Sequence, residues 1–503
     1  MPSPSHQTLR ADAVVIGTGA GGAPVAAALA AAGLEVIALE AGPRLSSADF
    51  TGREGEMLAR LMTVGISQKS GMELYAGSCV GGSTVVNDAL CWRTPPEVLQ
   101  SWRRQYGLTG LASTRFGLYV DRVWRQIHAE PTDRSHLNRN AHMLAVGAAR
   151  LGWAASAMHR SVRGCVNLGL CNLGCPSGAK QSTLLTYVPE AEKRGARILA
   201  DVRAVRVEVG EGAVRAVEAL RLSPETRAPV ASLRIETPRV CVAAGVLGTG
   251  ALLLRSGLGG GGGDAPVGRG LQFHSSAYVT ARFREPIHGF YGPTMSYAVT
   301  EFADVNGRRG PGFMLENVST AQVTTAAGLP GFGAEHERAM RALPHLARAV
   351  VVLRDRTRGR VSLDGSGNGT ARFEYDPVPE DRLRMREGIR ALARVYLAAG
   401  AEEIYLPVNG LAPVRDEADL AALDHLDLDP HRLSLLYAVH LFGGAAMGGR
   451  RATSCCNEDG AFWGVRRLWV SDAAALPSNT GVNPQVTIMA NALRVADAIA
   501  ETA

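Results

Sequence analysis

The sequence predicts an α/β protein in which a parallel, helix-covered nucleotide-binding sheet is joined to a second, α+β domain built on an antiparallel sheet. Three observations carry this. The first is a strand–glycine loop–helix–strand unit between Ala11 and Gly42. The second is a change of pattern near Ser276, after which strands alternate with two longer helices up to about residue 424. The third is the return of small-residue loops, one short strand and a terminal helix after Leu433, as expected when a chain comes back to a sheet that it left.

In the first unit, Ala13 to Ile16 reads as a buried parallel strand. Gly17, Gly19 and Gly22 give G-x-G-x-x-G, followed by an Ala-rich helix over 23–32 and a second strand over 36–39 that ends in Glu40. One glycine makes the tight turn, one admits a pyrophosphate to the backbone, and one lets helix and strand pack closely. The helix N-terminus offers free N–H groups and a positive dipole end to the phosphates. Glu40 is placed to accept from both ribose hydroxyls, which argues against a 2′-phosphate and hence against NADP. The competing reading is a membrane span, since 13–34 carries no charge; four glycines in its first ten residues and the lack of interfacial aromatics oppose it.

With 503 residues the chain exceeds one simple core. The expected division is a discontinuous Rossmann-type domain over 1–275, with a helical and cysteine-loop insertion at about 97–183, a substrate domain over 276–424, and a return to the first domain over 425–503. A net charge of +6 without Lys/Arg blocks excludes a nucleic-acid footprint. The first twelve residues lack an apolar run, so the expectation is a cytoplasmic protein whose eight cysteines are free thiols or metal ligands.

Further along, 75–93 contains a second glycine-rich turn with Gly82, Ser83 and Asn87. Helices fill most of 97–160, with Trp102, Tyr106, Trp124 and Trp153 in packing roles. Segments 198–209 and 214–222 alternate as a hairpin. A buried strand over 240–244 leads into a helix over 245–257, and Gly259 to Gly263 reads as a flexible connector. In the second domain, strands are expected at 277–283, 295–302, 360–363 and 372–375, and helices at 335–349 and 380–399. A strand over 468–471 ends at Asp472, and the terminal helix runs over 484–502.

These motifs together resemble the glucose-methanol-choline (GMC) oxidoreductases, FAD-dependent enzymes that typically oxidise alcohols. The resemblance rests on the first glycine motif, Gly81-Gly82-Ser83-Thr84-x-x-Asn87, GVLGTGALLLRSGLG from Gly245, VGRGLQFH from Val267, and the C-terminal HLFGGAAMGG from His440 and LWVSDAAALPSNTGVNPQVTIMANALRVAD from Leu468. Ser78, Cys91, Val246 and Gly250 depart from the family pattern.

The resemblance implies oxidation of a small-molecule alcohol to an aldehyde or ketone, with hydride transfer to flavin N5 and dioxygen, a quinone or a redox protein as acceptor. His440 matches the catalytic base and Asn483 its partner; Asn483 before Pro484 also reads as a helix N-cap. The positive end of the helix that starts at Pro484 would face the flavin pyrimidine. Asp472 lies at the position near the ribityl chain and Val202 where the backbone meets adenine. No histidine flanks Asn87 in the first signature, so FAD is expected to be noncovalent.

Cys165-x5-Cys171-x3-Cys175-Pro176 resembles the loop of bacterial glucose dehydrogenase flavoprotein subunits, which implies a three-iron (3Fe-4S) cluster; a structural cysteine loop is the alternative. Other functions on the same fold are a lyase with structural FAD and a flavin/iron–sulfur electron-transfer subunit. Tyr291, Tyr297, Phe302 and Phe313 are expected to wall the substrate pocket.

Overall fold

The computed structural model describes residues 5–259, 266–303, 312–365 and 369–502. At its centre five parallel strands run in the order Arg197–Leu199, Val36–Leu39, Ala13–Ile16, Val240–Val242 and Leu468–Val470. Four of the five are buried along their whole length, which is why they read as continuous apolar runs rather than alternating ones. Helix Ala23–Ala31 packs on this sheet and against the terminal helix Gln485–Ala500.

A second sheet pairs Ser5–Arg10, Pro229–Glu236, Ala213–Leu222 and Val202–Gly210. The expected hairpin is therefore only partly as read. Val202–Gly210 and Ala213–Leu222 do pair antiparallel, but Arg197–Leu199 turns off before them and forms the edge of the parallel sheet. The chain changes direction at Asp201, whose φ of 56° is left-handed.

The largest sheet has nine strands and draws Met62–Ile66, Glu73–Gly77 and Ala155–Ala157 together with Ser276–Arg282, Tyr297–Val299, Phe313–Asn317, Leu346–Leu353, Glu403–Tyr405 and Tyr437–Ala438. Its central strand Leu346–Leu353 corrects the helix expected over 335–349. The helix ends at Arg341, Pro344 lies in a short 3-10 turn, and Val350, Val351 and Val352 continue as strand. Burial on both faces removes the alternation that would have marked it, while β-branching favours the extended form. Phe302 packs against Trp153 and Phe313, and Phe313 lies beside Gly388 of helix Pro379–Ala399, so these two rings belong to the core. Tyr291 is exposed.

The hairpin Gly359–Leu363 with Ala371–Glu374 joins Arg269–Phe273 and Leu441–Phe442 in a separate four-stranded sheet. That small sheet sets the site, because its pairing of Phe273 with Leu441 places His274 beside His440. Of the glycine connector, residues 260–263 lie outside the described residues. Among the described residues no helix is long and apolar enough to cross a membrane, and the eight cysteines are unpaired.

Candidate active site

The three motif glycines have separate tasks. Gly17 turns the chain at φ 101°, and a Cβ on Gly22 would stand 1.9 Å from the Gly17 carbonyl oxygen, so both are required by packing. A Cβ on Gly19 would meet nothing nearer than 3.6 Å, the Cα of Gly82. Gly19 therefore keeps an open face, with backbone against backbone at Gly81 and Gly82, as a phosphate-bearing group needs. Gly21, which sequence reasoning did not single out, is packed against Asp472.

Glu40 is buried at the end of its strand. Its Oε2 accepts from Thr18 N at 3.1 Å and Thr18 Oγ1 at 2.7 Å, and its Oε1 from Gly42 N at 3.0 Å. Of about four acceptor positions on a carboxylate, at least three are thus filled from within, and the Ala41 N–H lies close enough to favour the ionised form as well. Burial raises its pKa, opposed by these bonds. Val202 N donates to the Glu40 carbonyl at 2.8 Å, bringing the start of its strand to the same corner.

The second glycine turn closes over the first. Thr18 Oγ1 accepts from Gly81 N at 3.0 Å, and Ser83 Oγ accepts from Gly77 N at 2.9 Å. Asn87 donates from Nδ2 to Gln485 Oε1 at 2.8 Å, tying the turn to the terminal helix. Ser83, Ala244, Gly245 and Val439 are exposed on otherwise buried segments. Asp472 accepts from Thr249 Oγ1 at 2.6 Å, Gly245 N at 2.8 Å and Ala474 N at 2.9 Å. It caps a short turn and holds two loops, and burial pushes its pKa up to about 6. An open glycine face at Gly19 and a buried acid closing the second strand fit a dinucleotide such as FAD.

His440 and Asn483 meet: His440 Nε2 lies 3.4 Å from Asn483 Nδ2. The residue capping helix Gln485–Ala500 is Pro484, so Asn483 is not the N-cap and its amide is free to face His440. Behind each stands an ionisable group that the sequence did not single out. His274 Nδ1 is 3.1 Å from His440 Nδ1, and Glu316 Oε2 accepts from Asn483 Nδ2 at 3.4 Å. His274 lay within a quoted motif; Glu316 was signalled only as an acid inside the apolar run of Phe313–Asn317. Burial lowers the pKa of His440 to about 4 and raises that of Glu316 to about 8. Asn483 Oδ1 and Glu316 Oε1 are buried with no hydrogen-bond partner among the described residues.

In the cysteine loop each thiol has a polar neighbour within the protein. Cys171 Sγ accepts from Arg160 Nη2 at 3.0 Å, Cys175 Sγ accepts from Lys180 N at 3.4 Å, and Cys165 faces Asn167. Among the described residues no three His, Cys, Asp or Glu side chains are arranged to hold a metal, so the iron–sulfur expectation finds no support. The buried Arg160 lowers the Cys171 pKa against the opposing effect of burial. Buried Lys180 donates to the carbonyls of Val85, Asn87 and Cys171, so the loop clamps the second glycine turn.

Two family models, both described as GMC oxidoreductase, match residues 11–276 and 355–492. An uncharacterised GMC-type oxidoreductase of Mycobacterium tuberculosis is 35% identical over 500 residues, covering 98% of this chain and 76% of that protein. A long-chain-alcohol oxidase of Arabidopsis thaliana is 28% identical, covering 98% of this chain and 68% of its own length. Among solved structures, pyridoxine 4-oxidase from Mesorbium loti superposes with a TM-score of 0.73 at 17% identity, over 97% of this chain and 98% of that one. This last likeness concerns the fold.

Proposed function

The chain belongs to the GMC oxidoreductase family, and on that premise we propose that it binds FAD noncovalently and oxidises a small-molecule alcohol at CH–OH to an aldehyde or ketone. The observation that carries the reading is the His440–Asn483 pair, two polar side chains that meet at 3.4 Å just ahead of the terminal helix. Bound FAD supplies the hydride acceptor.

Gly17, Gly19, Gly22, Glu40, Gly82, Ser83, Asn87, Val202, Asp472 and Pro484 form its cradle. His440 and Asn483 hold the substrate hydroxyl so that its carbon faces the cofactor, and His440 receives the hydroxyl proton. Burial lowers its pKa to about 4, so His440 is neutral at physiological pH and can accept a proton. The long-chain-alcohol oxidase relative supports an alcohol donor. The acceptor is dioxygen, a quinone or a redox protein. Eight unpaired thiols favour a reducing compartment, the cytoplasm.

The test is an anaerobic absorbance spectrum of the purified protein before and after addition of alcohols from a panel spanning polyols to long-chain alcohols. Flavin bands that bleach with one class support the reading. Flavin that never bleaches moves the chain to a lyase with structural FAD.

A further inference from the structure

On the reading that His440 and Asn483 form the reacting site, we propose that substrate reaches them by passing beneath the helix Gln322–Gly328, and that Glu54 is the latch that holds this helix shut. The helix buries almost no apolar surface. Its buried residues are Thr325 and Gly328, and Val323 is 47% exposed. Polar contacts hold it instead. Glu54 Oε2 accepts from Val323 N at 2.6 Å and Glu54 Oε1 from Thr324 N at 2.9 Å, while Arg348 Nη2 donates to the Thr324 carbonyl at 2.8 Å and Ser434 Oγ to the Gly328 carbonyl at 2.8 Å. An element with so few buried apolar contacts opens at lower free energy than the core around it. The chain is fixed on either side, at Thr320, whose N–H donates to the Gly289 carbonyl at 3.2 Å, and at Leu329, which is buried with Ala339 and Leu346. Movement is thereby confined to the helix.

What the helix covers leads to the reacting pair. A Cβ on Gly328 would stand 2.4 Å from Arg348 Nη2 and 2.9 Å from Tyr278 Cδ2, so the helix backbone lies directly on these two side chains. The Arg348 guanidinium in turn stands 3.4 Å from the centre of the Tyr278 ring. Residues directly opposite each other in antiparallel strands share a face of the sheet. Tyr278 is opposite Val350, and Val350 is opposite Glu316. This row runs from beneath the helix to the acid that touches Asn483, across two strand spacings, or roughly 10 Å. Tyr278 is only half-buried in the middle of its strand, so the row borders accessible space. Once Glu54 lets go, the first turn of the helix lifts and uncovers the Tyr278 end of the row.

The test places a thiol on the underside of the helix in the holoenzyme, as Thr325→Cys. Thr325 is 0% exposed and its hydroxyl has no hydrogen-bond partner among the described residues, so the change removes no hydrogen bond. The rate of its modification by methyl methanethiosulfonate, corrected for the eight native cysteines with the same enzyme lacking Thr325→Cys, reports opening. Adding Glu54→Ala should raise that rate at least ~10-fold, with Glu54→Gln, which keeps one acceptor oxygen, in between. A rate that Glu54→Ala leaves unchanged overturns the latch. The benzyl reagent on the same thiol then puts a ring in the path. Flavin reduction by alcohol should slow at least ~10-fold, while FAD content and reduction by dithionite stay as before labelling. Reduction by alcohol at the unlabelled rate overturns the path. Failure of every alcohol to bleach the unlabelled enzyme is a separate result that counts against the oxidation reading, and the labelling rates still decide the latch.

Discussion

Glu40 in the nucleotide cradle and Glu316 behind Asn483 are both buried acids on strands, and their surroundings differ sharply. Glu40 receives three donors, two of them backbone N–H groups, whereas Glu316 receives one bond of 3.4 Å and keeps Oε1 without a partner among the described residues. Burial is opposed by hydrogen bonds at Glu40. At Glu316 it is opposed only by Asn483, while Asp88 pushes the pKa further up, to about 8. In the proposed cradle most of the acid's capacity is used from within, whereas the proposed catalytic wall keeps polar capacity in reserve. That contrast is what a tightly held cofactor and a reacting substrate demand respectively.

The strongest way to break the cradle is Gly22→Val, whose Cβ would fall 1.9 Å from the Gly17 oxygen. We expect a loss of about 3 kcal/mol or more and loss of FAD, read by thermal unfolding and released flavin. Glu40→Gln sets an amide N–H2 against donors and should cost about 1–3 kcal/mol at pH 7.

Glu316→Gln sharpens the contrast because Gln resembles the protonated acid. A carboxyl whose folded pKa is raised from 4.5 to about 8 gives stability that is complete below the lower value and is lost as pH rises through the upper one. The Tm of wild type should therefore fall relative to Glu316→Gln between pH 5 and about 8. A constant difference would mean that Glu316 is already ionised at pH 5. The mildest change is Gly19→Ala. Its Cβ has room, so stability should stay within about 0.5 kcal/mol of wild type while FAD affinity falls. Equal loss of both would show that Gly19 is a packing glycine like Gly22.

The strand–glycine loop–helix–strand unit was legible in sequence because glycine spacing and an acidic strand end are local signals, and the structure packs Gly17 and Gly22 tightly and buries Glu40 at the strand's end. His440 and Asn483, 43 residues apart, were brought together only by family resemblance. Their partner His274 follows a strand of the four-stranded sheet and Glu316 lies on a strand of the nine-stranded one, and no local pattern ties either to the pair. Strand Leu346–Leu353 was missed because burial on both faces leaves no period to read. The cysteine loop was ambiguous for a related reason, since thiol spacing does not reveal neighbours distant in sequence, such as the Arg160 that donates to Cys171.

The most direct test of the account is the rate of flavin reduction on anaerobic rapid mixing of an alcohol substrate with wild type and with His440→Ala, at matched FAD content. The account predicts that His440→Ala retains FAD and is reduced ~10²- to 10⁴-fold more slowly. An unchanged rate in that variant would contradict it.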